Sequence, residues 1–180
     1  MKYEVRFSGT GGQGIIRCAV LLAEAALYDG YYAAQSQVYG PESRGGKSQG
    51  EVVIKDTPIH YPKVTDLGIL LCLSQQAYDS YAAEVIDGGM LIIDSDFVES
   101  RGREKSSVRV IGLPIIETAR DLGSEMSANV VAMGAIVGLT NMVTAESAHK
   151  ALANSFRGKA LDINMQAYQA GYRLAEGLAK

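Results

Sequence analysis

Hydrophobic and polar positions along the chain predict an alternation of strands and helices. Tyr3-Glu4-Val5-Arg6-Phe7 alternates apolar and polar side chains, the period of a strand with two different faces. It runs into Ser8-Gly9-Thr10-Gly11-Gly12-Gln13-Gly14. Beyond that, Ile15, Ile16, Ala19, Leu22, Ala23 and Ala26 form the stripe of a helix ending near Asp29-Gly30. Tyr31 to Val38 reads as a second strand and Glu51 to Lys55 as a third. Thr57 to Tyr61 is expected to pair with the third through a turn at Asp56, and Pro58 and Pro62 would confine that piece to a sheet edge. The unbroken apolar runs Leu67–Leu73 and Met90–Asp94 have the character of central strands covered on both faces, and Val108–Ile111 adds one more. Helices are expected over Gln75–Glu84, Ile115–Leu122, Ala128–Asn141, Ala145–Ser155 and Asp162–Ala179, with Ser127, Thr144 and Asp162 as caps of the last three. The pattern predicts an α/β fold: a Rossmann-like three-layer sandwich with a mostly parallel sheet and a helical C-terminal third. No linker, repeat or low-complexity segment divides residues 1–180, so one domain is expected.

Composition narrows the function classes. A net charge of -3 over 180 residues, with 47% hydrophobic and 21% charged residues, leaves no electrostatic footprint for nucleic acid or a membrane surface. The densest basic stretch, Arg101–Lys105, contains Glu104 and reads as a solvated loop. Two cysteines, Cys18 and Cys72, are too few for an iron–sulfur cluster or a structural zinc, which usually take four ligands. Both lie in apolar surroundings and read as buried thiols in a reducing cytoplasm. A strand-like start argues against a signal peptide, and no apolar run is long enough to span a bilayer.

The candidate chemistry is concentrated in two glycine-rich segments. Gly9, Gly11 and Gly14 satisfy G-x-G-x-x-G between a first strand and its helix, where backbone N–H groups at a helix start can meet phosphate. The alternative is a tight turn needed only for strand–helix packing. An NAD-binding domain would carry a carboxylate at the end of the second strand, but this strand offers Gln35, Ser36 and Gln37. NAD is therefore disfavoured, and a stand-alone NAD(P)-binding Rossmann protein is an alternative reading. In the second segment Arg44 stands before Gly45 and Gly46, where a guanidinium can clamp phosphate or carboxylate. An ion pair with Glu42 or a subunit contact would use it equally well. Asp94-Ser95-Asp96 ends a central strand and reads as a turn cap before it reads as a Mg²⁺ site. His60 and His149 have no nucleophile partner pattern; His60 is expected at an interface and His149 in solvent. Tyr31, Tyr32, Tyr39, Tyr78 and Tyr81 suit the core edge, with room for a subunit contact.

The segments Gly9-Thr10-Gly11-Gly12-Gln13-Gly14, Gln35-Ser36-Gln37, Tyr39-Gly40-Pro41-Glu42-Ser43-Arg44-Gly45-Gly46 and Glu51-Val52-Val53-Ile54 together resemble the gamma-type domain of the 2-oxoacid:ferredoxin oxidoreductases. Pro58-Ile59-x-Tyr61-Pro62 and Ala128-Asn129-x-x-x-Met133-Gly134-Ala135 add to the likeness, which covers nearly the whole chain. The resemblance, greatest to the 2-oxoglutarate type, implies a cluster-free gamma subunit, inactive alone. Its complex would convert a 2-oxoacid and coenzyme A to acyl-CoA, carbon dioxide and reduced ferredoxin. Thiamine diphosphate and iron–sulfur clusters would sit on alpha, beta and delta partner subunits. Under this reading the chain holds no catalytic and no metal residue of its own. Gly9, Gly11, Gly12, Gln13, Gly14, Ser43, Arg44, Gly45 and Gly46, assisted by Lys47, are the candidates for contact with coenzyme A or a partner's loop. In isolation a homodimer is expected. The small subunit of an indolepyruvate-type oxidoreductase, which shares this domain, and a scaffold that lost its ligand remain as alternatives.

Overall fold

The computed structural model describes residues 1–39 and 46–178. Six strands are β1 (Lys2–Thr10), β2 (Tyr32–Tyr39), β3 (Lys47–Lys55), β4 (Ile69–Cys72), β5 (Met90–Asp94) and β6 (Arg109–Leu113). Six helices are α1 (Ile15–Tyr28), α2 (Gln75–Tyr81), α3 (Ile115–Asp121), α4 (Ala128–Thr140), α5 (Ala145–Ser155) and α6 (Gly158–Leu174). The strands form one sheet in the order β2-β3-β1-β4-β5-β6. The pairings of β1 with β4, β4 with β5 and β5 with β6 are parallel, whereas β3 runs against both of its neighbours. The mostly parallel α/β sheet and helical C-terminal third are as the hydrophobic pattern predicts. The reversed strand enters as a β2–β3 hairpin that the pattern does not announce.

Helices cover the two faces unequally. Val5, Phe7, Val52, Ile54, Leu71 and Ile92 face the main core, where α1, α3, α4, α5 and α6 supply the other wall. Helix α4 is buried along almost its whole length, from Ala128 to Leu139, so it reads as apolar all round. It crosses α6 at glycine: a Cβ on Gly134 would collide with the Tyr168 carbonyl, and one on Gly171 with that of Val131. The opposite face has a smaller core under α2, built on Leu70, Cys72, Leu91 and Ile93. Over β1 and β3 that face is polar and still buried. Arg6 pairs with Glu51 at 2.8 Å and with Glu84, and its guanidinium lies 5.0 Å from the Tyr81 ring centroid. Gln49 and Ser36 also donate to Glu51.

Several local expectations are corrected. Thr57–Tyr61 is not a strand; the chain beyond it turns the N–H groups of Thr65 and Asp66 onto the Glu4 carboxylate. Pro58 and Pro62, which lack N–H groups, suit an irregular path. Helix α6 starts at Gly158, so Asp162 sits inside it instead of capping it. Ser127 occupies the position before α4 but donates its hydroxyl to Ser124 O, leaving no side-chain cap. Thr144 does cap α5, accepting from Ser147 N. The Arg101–Lys105 stretch is the exposed loop expected, and it is anchored: Tyr78 Oη accepts the N–H of Arg101 at 2.6 Å and donates to Glu104.

Candidate functional site

The glycine loop emerges where β1 ends, on the edge formed by the C-terminal ends of β1, β4, β5 and β6, which is where open α/β sheets place ligands. Its shape is set by Gln13. The Gln13 amide oxygen accepts Thr10 N–H at 2.7 Å, its backbone N–H reaches Thr10 O at 3.3 Å, and its amide nitrogen reaches Leu73 O at 3.4 Å. The side chain thus closes the loop and ties it to the end of β4. A Cβ on Gly9 would strike that same Gln13 oxygen.

Gly14 is the second fixed point. It stands before α1 with φ 70 and ψ 20, a left-handed conformation that costs a side-chain-bearing residue energy. A Cβ there would also lie 2.6 Å from the amide nitrogen of Asn129, which donates to Gly14 O at 3.2 Å. Cys18 Sγ in turn donates to Asn129 O. Helix α4 therefore holds the loop from behind. The N–H groups of Gly12, Gly14, Ile15 and Ile16 have no protein acceptor among the described residues. Unpaired donors at a helix start, with the positive end of the helix dipole behind them, favour an anion.

The second glycine-rich segment meets this loop directly: Gly11 N–H donates to Gly46 O at 3.0 Å. Gly46 is buried, and Lys47 opens β3 with its ammonium on Ser80 Oγ at 3.1 Å and 5.7 Å from the Tyr81 ring centroid. Ser43, Arg44 and Gly45 lie outside the described residues, as does Glu42. The structure thus brings Gly9, Gly11, Gly12, Gln13, Gly14 and Gly46 together at one edge.

Two clefts flank the loop. One of about 290 Å³ is lined by Gly14, Arg17, Ser127, Asn129, Phe156 and Asn164 among others. One of about 110 Å³ is lined by Gly12, Gln13, Ile116, Glu125, Met126 and Ala128. Met126, 76% exposed, borders both. Arg17 donates to Ser155 O at 2.9 Å and stacks over Phe156 at 4.9 Å, and its position on α1 was not flagged by any motif. A concavity of about 560 Å³ lies at the other edge beside Lys2, Glu4 and Asp66. The loop chemistry is absent there, and Lys2 is engaged by both carboxylates.

Asp94 behaves as a turn cap. Its carboxylate is fully buried and accepts the N–H groups of Asp96 at 3.0 Å, Phe97 at 3.1 Å and Ile116 at 2.8 Å. Among the described residues no three His, Cys, Asp or Glu side chains gather as metal ligands. Cys18 and Cys72 are free thiols, and burial pushes the pKa of each up, so the donor set does not fit an iron–sulfur cluster. His149 is half-buried rather than fully solvated, its imidazole packing edge-on against Tyr168. No described helix is long and apolar enough to cross a membrane.

Comparison with known proteins places this geometry. Residues 4–174 match the family model of pyruvate ferredoxin/flavodoxin oxidoreductase. A 2-oxoglutarate synthase subunit KorC from Methanocaldococcus jannaschii is 43% identical over 99% of this chain and 96% of its own. A ketoisovalerate oxidoreductase subunit VorA from Methanothermobacter thermautotrophicus is 36% identical over 93% of this chain but 35% of its own. The crystal structure of the keto/oxoacid ferredoxin oxidoreductase gamma subunit from Geobacter sulfurreducens superposes with a TM-score of 0.88 at 43% identity, covering 100% and 99% of the two chains. The fold recurs in a 2-oxoglutarate:ferredoxin oxidoreductase from Magnetococcus marinus, TM-score 0.90 at 24% identity, over 99% of this chain and 32% of that one. The chain belongs to the pyruvate ferredoxin/flavodoxin oxidoreductase family, and its fold is that of a gamma subunit.

Proposed function

We propose that residues 1–180 form a single gamma-type domain, the cluster-free subunit of a complex that oxidises 2-oxoglutarate with coenzyme A to succinyl-CoA, carbon dioxide and reduced ferredoxin. The 2-oxoglutarate choice rests on the likeness to the KorC subunit. Alpha, beta and delta-type partners carry thiamine diphosphate and the iron–sulfur clusters, and electrons leave through them to ferredoxin. The complex works in the cytoplasm.

Within it, the glycine loop presents backbone N–H groups to a phosphate of coenzyme A. The observation that carries this role is the division of labour in the loop: the Gln13 amide is spent on loop closure, while the N–H groups of Gly12, Gly14, Ile15 and Ile16 have no protein acceptor among the described residues. A diphosphate fits such a donor set. Arg44 and Ser43, which follow the second strand in sequence, supply the side-chain clamp, and Gly45 and Gly46 let that segment approach. Carbon–carbon cleavage and electron transfer belong to the partners' cofactors; this chain binds, orients and completes the wall of the site.

The test is purification of the tagged chain from its own cells without oxygen, followed by 2-oxoacid- and coenzyme A-dependent reduction of a viologen dye. Co-purifying thiamine-diphosphate and iron–sulfur subunits with 2-oxoglutarate as the best acid is the expected result. A chain that emerges alone, inert to every 2-oxoacid, overturns the proposal; a preference for pyruvate or a branched-chain acid overturns its substrate.

A further inference from the structure

Two buried amides line the cleft of about 290 Å³ between α1, α4 and α6: Asn129 is 6% exposed and Asn164 9%. Each donates from its amide nitrogen to a backbone carbonyl, Asn129 to Gly14 O at 3.2 Å and Asn164 to Ala160 O at 2.8 Å. A carbonyl only accepts, so these bonds fix which end of each amide is nitrogen and which is oxygen. Both Oδ1 atoms are left without a protein donor among the described residues. Neither is sealed in the interior, because the sealed and unpaired side-chain atoms are Glu24 Oε2, His149 Nε2 and Tyr168 Oη. The two oxygens therefore reach the cleft. Polar groups so deeply buried are nearly always paired, since their desolvation is otherwise uncompensated.

The rest of the cleft narrows the ligand. Among the described residues no carboxylate lines it, and its one charged group is Arg17. An ammonium would be repelled there, so the two amide oxygens call for a neutral N–H donor. Arg17 is exposed, with its guanidinium over the Phe156 ring at 4.9 Å, and guanidinium planes stack on bases as well as on aromatic side chains. Met126 adds apolar surface at the border. A cavity of roughly 150 Å³ holds benzene, so this one has room for a bicyclic ring. Gly14 is part of the wall, which sets the cleft beside the unpaired N–H groups of the glycine loop.

We propose that this cleft takes the adenine of coenzyme A, an assignment that rests on the coenzyme A reading above. The 6-amino group is neutral and carries two N–H bonds, which it donates to Asn129 Oδ1 and Asn164 Oδ1. The ring lies against Arg17, and the diphosphate reaches back to the glycine loop. The pantetheine arm is then left to extend away from this chain toward the partners' cofactors.

The experiment measures kcat and KM of the assembled oxidoreductase with coenzyme A and with an analogue in which hydrogen replaces the 6-amino group. The analogue should show a KM about tenfold higher at the same kcat, as the loss of one good polar contact implies. Asn164→Ala leaves the Asn129–Gly14 bond in place and puts the best helix former inside α6. It should raise the KM for coenzyme A by about the same factor and leave that for the analogue unchanged, the signature of a direct contact. Arg17→Gln should raise both values alike, because stacking does not depend on the amino group. Equal KM values for the two coenzymes, or an Asn164→Ala effect of the same size on both, overturn the adenine assignment and leave the coenzyme A reading standing. An oxidoreductase that turns over its 2-oxoacid without coenzyme A overturns both.

Discussion

Asp94 offers the sharpest test of how the C-terminal edge of the sheet is built. Asp94→Ala removes the acceptor of three N–H groups. That of Ile116 is buried; those of Asp96 and Phe97 lie in a part-buried turn that water can reach. A buried hydrogen bond to a charged group contributes about 1.5–3 kcal/mol and an ordinary one about 0.5–1.5. One of the first kind and two of the second give a loss of about 2.5–6 kcal/mol. For a chain of 180 residues, each kcal/mol moves the melting temperature by roughly 2–4 °C, so the variant should melt about 5–24 °C lower. Asp94→Asn keeps one acceptor oxygen but turns an amide N–H toward a backbone N–H, and should lose about half as much. Thermal unfolding followed by circular dichroism, with urea melts for ΔG, measures both. A loss below about 1 kcal/mol for Asp94→Ala would refute the three-bond account. So would a Mg²⁺-induced rise in wild-type melting temperature that Asp94→Asn abolishes, because it would show oxygens available to a cation.

Gly14→Ala should destabilise the chain by about 1–3 kcal/mol from backbone strain alone. In the assembled oxidoreductase it should raise the KM for coenzyme A more than it lowers kcat, and a kcat-only effect would remove the loop from binding. The buried thiols of Cys18 and Cys72 should resist a disulfide reagent at pH 8 in the native chain and react after denaturation; fast native labelling would contradict their burial. At Asp29 burial opposes ionisation, but hydrogen bonds from Ser147 Oγ and from Thr144 Oγ1 and N–H outweigh it and hold the carboxyl below its ordinary 3.8. Its contribution is complete above the unfolded value and fades as pH falls through the lower folded one. Asp29→Asn should therefore differ most from wild type at neutral pH and converge with it in strong acid, and a constant gap in melting temperature across that range would contradict the shift.

The sequence made some of this architecture legible for physical reasons. Gly9, Gly11 and Gly14 punctuate a strand and an amphipathic helix, so the loop and its place at the sheet edge are readable from local pattern. The start of β3 is not, because Lys47-Ser48-Gln49-Gly50 has no apolar period; its order comes from pairing with β1 and β2. Arg6 and Glu51 look like the solvent-facing halves of two alternating strands, yet they bury each other across 45 positions of chain. Burial by a partner remote in sequence leaves no local signature. His149 fails similarly: Tyr168, which covers it, lies on another helix. At the loop, the role of Gln13 is set by Thr10 and Leu73, and only the three-dimensional closure shows that its amide faces inward.

The glycine crossing of α4 and α6 has a consequence for the order in which the protein matures. Asn129, which fixes Gly14, belongs to the helix that α6 clamps through Gly134 and Gly171. The first loop of the chain thus takes its working shape from a helix near its end. During translation the N-terminal half emerges first, and the glycine loop lacks its Asn129 contact until α4 follows. A nascent chain that lacks α4 therefore presents this loop without its anchor at Gly14, and the edge is complete only when the C-terminal helices have packed.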